Sequence, residues 1–348
     1  MRILICIWVM GCLTMGKLQS QPWLEWLDSS QAGSSYRGLC VLPGNTLWVS
    51  GSKGRIGRST NGGKTWQWVN PAGYETRDFR DIEAFDSLTA LAMAVDRPAL
   101  ILRTTDGGRH WQPVYERDIP GVFLDAMCFK DKQRGVCIGD PINERFWIVE
   151  THDGGVTWKE VPASQSPLAM EGEALFASSG SNIQFINYPG LEYAFITGGT
   201  ISRLHLMGGR PGIKNGFIDL GMPRGRASKG ANSLAVQNDN WIIVGGDYTL
   251  PLLSEYNTVY STDNSSKWSS PGVTPPFGYK SSTLFIAQGR ALAVGTSGID
   301  VSGKNLNHWK HLTDQPFHVA AMAPGDNWIY LAGPAGKIAR MPLPPKKI

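Results

Sequence analysis

The stretch RTTDGGRHW, Arg103 to Trp111, sets a carboxylate, two glycines and an indole within nine residues. Two near copies accompany it, RSTNGGKTW from Arg58 and ETHDGGVTW from Glu150. Aligned, the three share one pattern: Ser or Thr, any residue, Asp or Asn, any, Gly, any two, Trp. It runs over Ser59 to Trp66, Thr104 to Trp111 and Thr151 to Trp158, with successive starts 45 and 47 residues apart. A worn copy, STDNSSKW at residues 261–268, has Ser265 in place of the glycine; a further one, SGKNLNHW, ends at Trp309. The 110 residues from Thr151 to Ser261 leave room for one unmarked unit between them. A period of this length marks a propeller or solenoid.

Each residue in the pattern suits a tight hairpin corner. The side-chain oxygen of Asn61, Asp106 or Asp153 can accept backbone amides a few residues on. Gly63, Gly108 and Gly155 allow a positive φ. The hydroxyl of Ser59, Thr104 or Thr151 ties the incoming strand to the corner. Trp66, Trp111 and Trp158 then cover the seam between neighbouring sheets with a large apolar area. One carboxylate per corner offers too few oxygens for calcium, so no metal is expected.

Short strands flank each corner. LWVSGS, TALAMAV, RGVCIGD and NWIIVGGD read as inner strands that end in glycine or a polar loop. RIGRS, LILRT, WIVET and NTVYST lead into the corners. The repeating unit is four antiparallel strands, with units starting near Tyr36, Phe79, Phe123, Gly172, Lys229, Gly278 and Phe317. This predicts an all-β, seven-bladed β-propeller over residues 21–348; six blades with extensions is the alternative count. The last unit has three strands. WLEWLDS, at Trp23 to Ser29, supplies the fourth and closes the ring, removing an exposed edge.

The corner resembles the Asp-box, or bacterial neuraminidase repeat. The spacing, with FRDIEAF at residues 79–85 and GDPINERFWIVETHDGGVTW at 139–158, resembles the photosystem II stability/assembly factor-like propeller family. The resemblance covers the chain after residue 20. It implies seven blades and, by analogy, a non-enzymatic assembly or binding role. Sialidases, xyloglucanases and sorting receptors use the same corner, so it specifies architecture and leaves function open. Some relatives carry an oxidoreductase label, but no GxGxxG opening a helix and no haem or flavin motif is found here, and no cofactor is expected.

The N-terminus places Arg2 before an apolar run from Ile3 to Met15, with Leu18 and Ser20 positioned for cleavage before Gln21. Residues 1–20 thus read as a signal peptide, and the protein as secreted or periplasmic. Lipid attachment at Cys12 is the lesser alternative. Of the five cysteines, Cys40, Cys128 and Cys137 lie beyond this segment. Cys128 and Cys137 flank a hairpin and could pair, although buried free thiols fit an odd count better. A net charge of +4 without a basic run points away from nucleic acid. No later segment reaches membrane-spanning length, and the expected state is a monomer.

Connectivity alone separates scaffold from site. Corners join third to fourth strands and emerge on one face. First strands begin, and second strands end, on the other. Loops and strand ends on that face are where binding residues collect. The candidates are Arg37, Asp78, Arg80, Asp81, Arg97, Asp125, Asp140, Glu173, Asp247, Tyr248 and Lys280, with Asn232, Ser281 and His318 at matching strand starts. Such a mixed-charge funnel suits a protein partner or a glycan. Paired carboxylates and arginines also admit a sialidase-like glycoside hydrolase, with Tyr248 as nucleophile. The Arg-Ile-Pro start typical of sialidases is absent: the strands read YRGL and FRDI.

Overall fold

The computed structural model describes residues 23–208, 215–272 and 274–345; the signal-like segment lies outside them. Seven antiparallel sheets form the blades of a propeller. Blade 1 runs through Tyr36–Leu42, Thr46–Gly51, Ile56–Ser59 and Gln67–Val69. Blade 2 begins at Phe79–Ala84, blade 3 at Leu124–Phe129 and blade 4 at Ile183–Tyr188. Blades 5, 6 and 7 begin at Lys229–Gln237, Ser282–Ala287 and Val319–Ala321.

Every second strand is walled by a sheet on each side, which is why these segments read as continuous apolar runs. Thr46–Gly51, Ala90–Ala94 and Arg290–Gly295 are buried along their whole length. These runs, read from sequence as inner strands, occupy second position; the strands before them line the channel. Seven apolar clusters fill the seams, one between each pair of neighbouring blades, the seventh joining blade 7 to blade 1. The repeat tryptophans lie on these seams. Trp111 meets Trp48 of blade 1 edge-on at 6.1 Å, and Trp158 meets Phe129, which in turn packs on Phe85 of blade 2.

The ring closes as the sequence predicts. Glu25–Asp28 pairs antiparallel with Ile338–Pro342, with Glu25 opposite Arg340 and Trp26 opposite Ala339. Arg340 donates to both Glu25 oxygens, at 2.8 and 3.0 Å, so the two ends of the chain are joined by side chains as well as by backbone.

Blade 4 corrects one boundary. Its first strand starts at Ile183, not near Gly172. Glu173–Ala174 instead forms a short bridge with Gly198–Gly199, which pairs onward with Gly230 of blade 5. The apolar alternation of EALFAS serves a connection packed between blades rather than a strand of one.

Cys128 and Cys137 are both free, as is Cys40. Cys128 lies opposite Val136, and Cys137 opposite Met127 and against the Met93 sulfur. Adjacent registers put the two thiols on opposite faces of the hairpin.

Candidate functional site

The corners are closed hydrogen-bonded units. The hydroxyls of Ser59, Thr104 and Thr151 accept the amides of Gly63, Gly108 and Gly155 at 2.9, 3.0 and 2.9 Å. Each hydroxyl donates to the Asn61, Asp106 or Asp153 side chain, at 3.0, 2.9 and 2.9 Å. Asp106 Oδ1 also accepts the amides of Arg109 and His110, both at 3.0 Å. The His110 amide and ring hold the Asp106 carboxyl well below its usual range. These oxygens already serve the backbone. Ser59, Thr104 and Thr151 lie opposite Leu47, Ala90 and Gly135, where the second strands begin. The corners therefore face away from the end where second strands finish and first strands start.

That far end holds a second repeat, one of backbone shape. First strands skip one residue of register at equivalent places: between Tyr36 and Gly38, Phe79 and Asp81, Leu124 and Ala126, and Ala231 and Ser233. The skipped residues are Arg37, Arg80, Asp125 and Asn232. A bulge re-aims the side chain it carries, and all four line one cavity of about 500 Å³ at the channel mouth. Asn182, Ser281 and His318 stand just before the first strands of blades 4, 6 and 7. Around the ring these seven corresponding positions read Arg, Arg, Asp, Asn, Asn, Ser and His, and Arg37, Arg80, Asp125, Asn232 and His318 line the cavity. Asp140 and Tyr248 also line the cavity, between aromatic walls from Phe123, Phe176 and Tyr279.

Residues 174–181 cross this ring. Arg37 Nη1 donates to the Ser178 carbonyl at 3.2 Å, and Arg80 Nη1 to the Ala177 carbonyl at 3.4 Å. The Leu175 amide donates to Asp140 at 2.9 Å, and Ser179 Oγ to the Ser281 carbonyl at 2.6 Å. Ser181 Oγ meets Ser233 Oγ at 2.7 Å. Gly180 has φ +70°, and a Cβ there would lie 2.3 Å from Asp81 Oδ1, so only glycine passes. One segment thereby touches blades 1, 2, 3, 5 and 6. Sequence reading missed it; the signal was the length of the blade 3 to blade 4 connection, residues 161–182.

The electrostatics of the mouth are uneven. Arg80 Nε donates to Asp78 at 2.8 Å. Arg37 makes no contact with a carboxylate among the described residues, and burial followed by the Arg80 charge lowers its pKa. His318 is pushed down to about 3, by burial first and then by Arg37 and Arg80, so it is neutral near pH 7. Burial raises the Tyr279 hydroxyl to about 12, and it donates to Asn232 Oδ1 at 2.8 Å. Asp125 is fully buried, and neither carboxyl oxygen has a hydrogen-bond partner. Burial, then the neighbouring Asp140 carboxyl, raises its pKa well above the normal range, with Arg80 opposing. The amides of Asp140 and Ala177 approach it without completing hydrogen-bond geometry.

The remaining candidates lie elsewhere. Asp81 points beneath the mouth and accepts the amides of Met127 and Ile82 at 2.7 and 2.8 Å; burial raises it to about 7. Glu173 is enclosed with Arg203, His205 Nε2 at 3.1 Å and Thr197 Oγ1 at 2.6 Å. Lys280 is fully buried, its ammonium held by Asp300 at 2.5 Å and by Ser297 Oγ and the Gly298 carbonyl, both at 3.0 Å. Asp247 binds the Thr249 amide and hydroxyl at 3.0 and 2.6 Å and lines a separate rim pocket. Arg97 pairs with Asp118 on the surface. Among the described residues, no cluster of three His, Cys, Asp or Glu is arranged to hold a metal, and no helix is long and apolar enough to cross a membrane.

No family model and no curated protein matches the chain. Solved propellers do. The structure of YCF48 bound to D1 peptide is 15% identical with a TM-score of 0.60, covering 92% of this chain and 94% of that one. YCF48 from Cyanidioschyzon merolae is 13% identical with a TM-score of 0.60, covering 93% and 99%. The WD40 domain of Neurospora crassa Pan2 is likewise 13% identical with a TM-score of 0.60, covering 90% of each chain. At these identities the likeness establishes the seven-bladed fold.

Proposed function

We infer that the chain is a non-enzymatic binding propeller that holds a segment of a protein partner at the channel mouth, acting as a monomer outside the cytoplasm. The bulged ring carries this reading. On four blades one backbone device aims a polar side chain inward, Arg37, Arg80, Asp125 and Asn232, a layout suited to recognising an irregular ligand. Beside the cavity, residues 248–256 of blade 5 expose Tyr248, Leu250, Leu252, Leu253 and Tyr256, with Leu252 68% exposed. An exposed apolar loop next to a polar cavity is the composition of a protein-recognition patch. A YCF48 propeller bound to a D1 peptide gives the same reading a precedent in this fold. The signal-like N-terminus supports the location.

A glycosidase has less to work with. Asp81, Glu173 and Asp247 are engaged by amides, an arginine or a threonine; at the mouth Asp140 accepts the Leu175 amide, leaving Asp125 as the carboxyl there with neither oxygen partnered. The test is crosslinked capture from the native compartment, comparing wild type, an Arg80→Glu/Leu252→Asp mouth variant and an Asp153→Asn corner variant. Capture of a defined partner should be lost only in the mouth variant. Equal capture by all three, or turnover of a glycoside by the wild type, overturns the reading.

A further inference from the structure

The cavity chemistry narrows what the mouth receives; this step rests on the mouth being the binding face. Three features meet there. Asp125 lines the cavity, fully buried, with both oxygens unpartnered. Leaving buried polar atoms unpaired costs about 1–3 kcal/mol, so a position that does so invites a missing partner. Arg37, on the matching bulge of blade 1, bonds only the Ser178 carbonyl among the described residues and touches no carboxylate. Arg80, on the blade between them, faces the same space with its charge already paired to Asp78. We propose that this cavity receives a carboxylate, held by Arg37 and Arg80 against the buried, unpartnered Asp125.

A planar guanidinium fork matches the two oxygens of a carboxylate. Burial opposes the ionisation of Asp125, and in its protonated form a carboxylic acid supplies a donor rather than a repelling charge; one incoming negative charge balances the one guanidinium lacking an acidic partner. Phe123, Phe176 and Tyr279 give the acid an apolar surround, which strengthens the ionic contact by excluding water. A cation is disfavoured by the same two arginines. The group has two possible sources: a free small acid, or the C-terminal carboxylate of a peptide.

Calorimetric titration with N-acetylphenylalanine and its amide tests the proposal on the wild-type protein. The acid should bind about tenfold or more tightly than the amide, as a charge-assisted pair requires. Arg37→Met should remove that preference. The titratable and charged groups sharing the cavity with Asp125 are Asp140, Arg37, Arg80, Tyr248, His318 and Tyr279, of which His318 and Tyr279 do not change charge between about pH 5 and pH 8. Affinity in the wild type should therefore fall as rising pH ionises Asp125, while Asp125→Asn, whose amide donates at any pH, should stay flatter. N-acetyl-Ala-Ala-Ala-Phe with a free terminus distinguishes the sources: tighter binding than N-acetylphenylalanine indicates a chain end, and equal binding a free acid. Equal affinity for acid and amide, or no binding of any probe, overturns the proposal; the wild-type comparison decides this even if a variant fails to fold. Partner capture that still depends on the mouth residues would then leave the binding face standing without its carboxylate. Carboxylate binding without partner capture would do the reverse.

Discussion

Asp106 and Asp125 are the same residue in opposite states. At the corner, Asp106 accepts two backbone amides and a hydroxyl, and its carboxyl is depressed. At the mouth, Asp125 is fully buried, accepts nothing and is raised. The corner repeats in sequence because it solves one backbone problem the same way in each blade. The mouth repeats only in backbone shape: the bulge recurs while the residue on it changes from Arg to Asp to Asn. Sequence repetition therefore marks scaffold here, and the proposed working positions are the varying residues at a repeated bulge.

Glu173 offers the sharpest test, because it is as buried as Asp125 and as saturated as Asp106. Its side chain is 0% exposed, and Arg203 and His205 face it. Burial works against its ionised form, but the bonds from His205, Arg203 and Thr197 outweigh that and bring it down to about 2. Its folded value lies below the ordinary 4.5. The stabilisation is thus present above about pH 4.5 and lost as pH falls towards 2. Arg203→Met should cost about 3–5 kcal/mol in urea unfolding near neutral pH, since it strands a buried charge. The variant should also lose much of the wild-type decline between pH 4.5 and 2. A cost under about 1 kcal/mol would mean that burial without partners is tolerable, and the contrast with Asp125 would lose its meaning.

Asp125→Asn should move stability the other way. With the folded pKa above the unfolded value of 3.8, the wild type has its full stability below that value and loses it as pH rises towards the folded pKa. Asparagine does not titrate. The variant should be the more stable protein at pH 7 by roughly 1–3 kcal/mol, with the gap closing below about pH 4. Thermal unfolding across that range checks it. A variant less stable than wild type at pH 7 would show that Asp125 is satisfied in the free protein.

The legible part of the molecule is the part that depends on near neighbours in sequence. Ser59 to Trp66 and its copies encode their own hydrogen bonds within eight residues, and WLEWLDS shows its unpaired edge by having no unit of its own. Arg37, Arg80 and Asp125 were findable because alternation and connectivity put strand starts at the mouth. Glu173 and Lys280 were misplaced by the same logic: their partners, Arg203 and Asp300, lie 30 and 20 positions away, and burial reversed their expected exposure. The segment crossing the mouth was invisible because its contacts, such as Arg37 with Ser178, 141 positions apart, exist only once the ring has closed.

The smallest expected effect lies inside the corner repeat, where blade 5 has drifted. Ser265 keeps the corner's hydrogen bonds, its amide donating to Ser261 Oγ at 3.1 Å and its carbonyl accepting Trp268 Nε1 at 3.1 Å. It does so at φ +65°, where Gly63, Gly108 and Gly155 have +84°, +86° and +75°. A side chain in this left-handed region costs about 1–2 kcal/mol, while a glycine gives back about 0.4–1 kcal/mol through the freer unfolded chain. The first term is the larger, so Ser265→Gly should stabilise by about 0.5 kcal/mol. The reciprocal Gly155→Ser should destabilise by more, because its Cβ would also stand 2.3 Å from Leu91 Cδ2. Paired urea melts of the two variants test whether the worn corner is a weakened copy of the intact one. A Ser265→Gly protein less stable than wild type would instead mean that blade 5 has adapted its corner to serine.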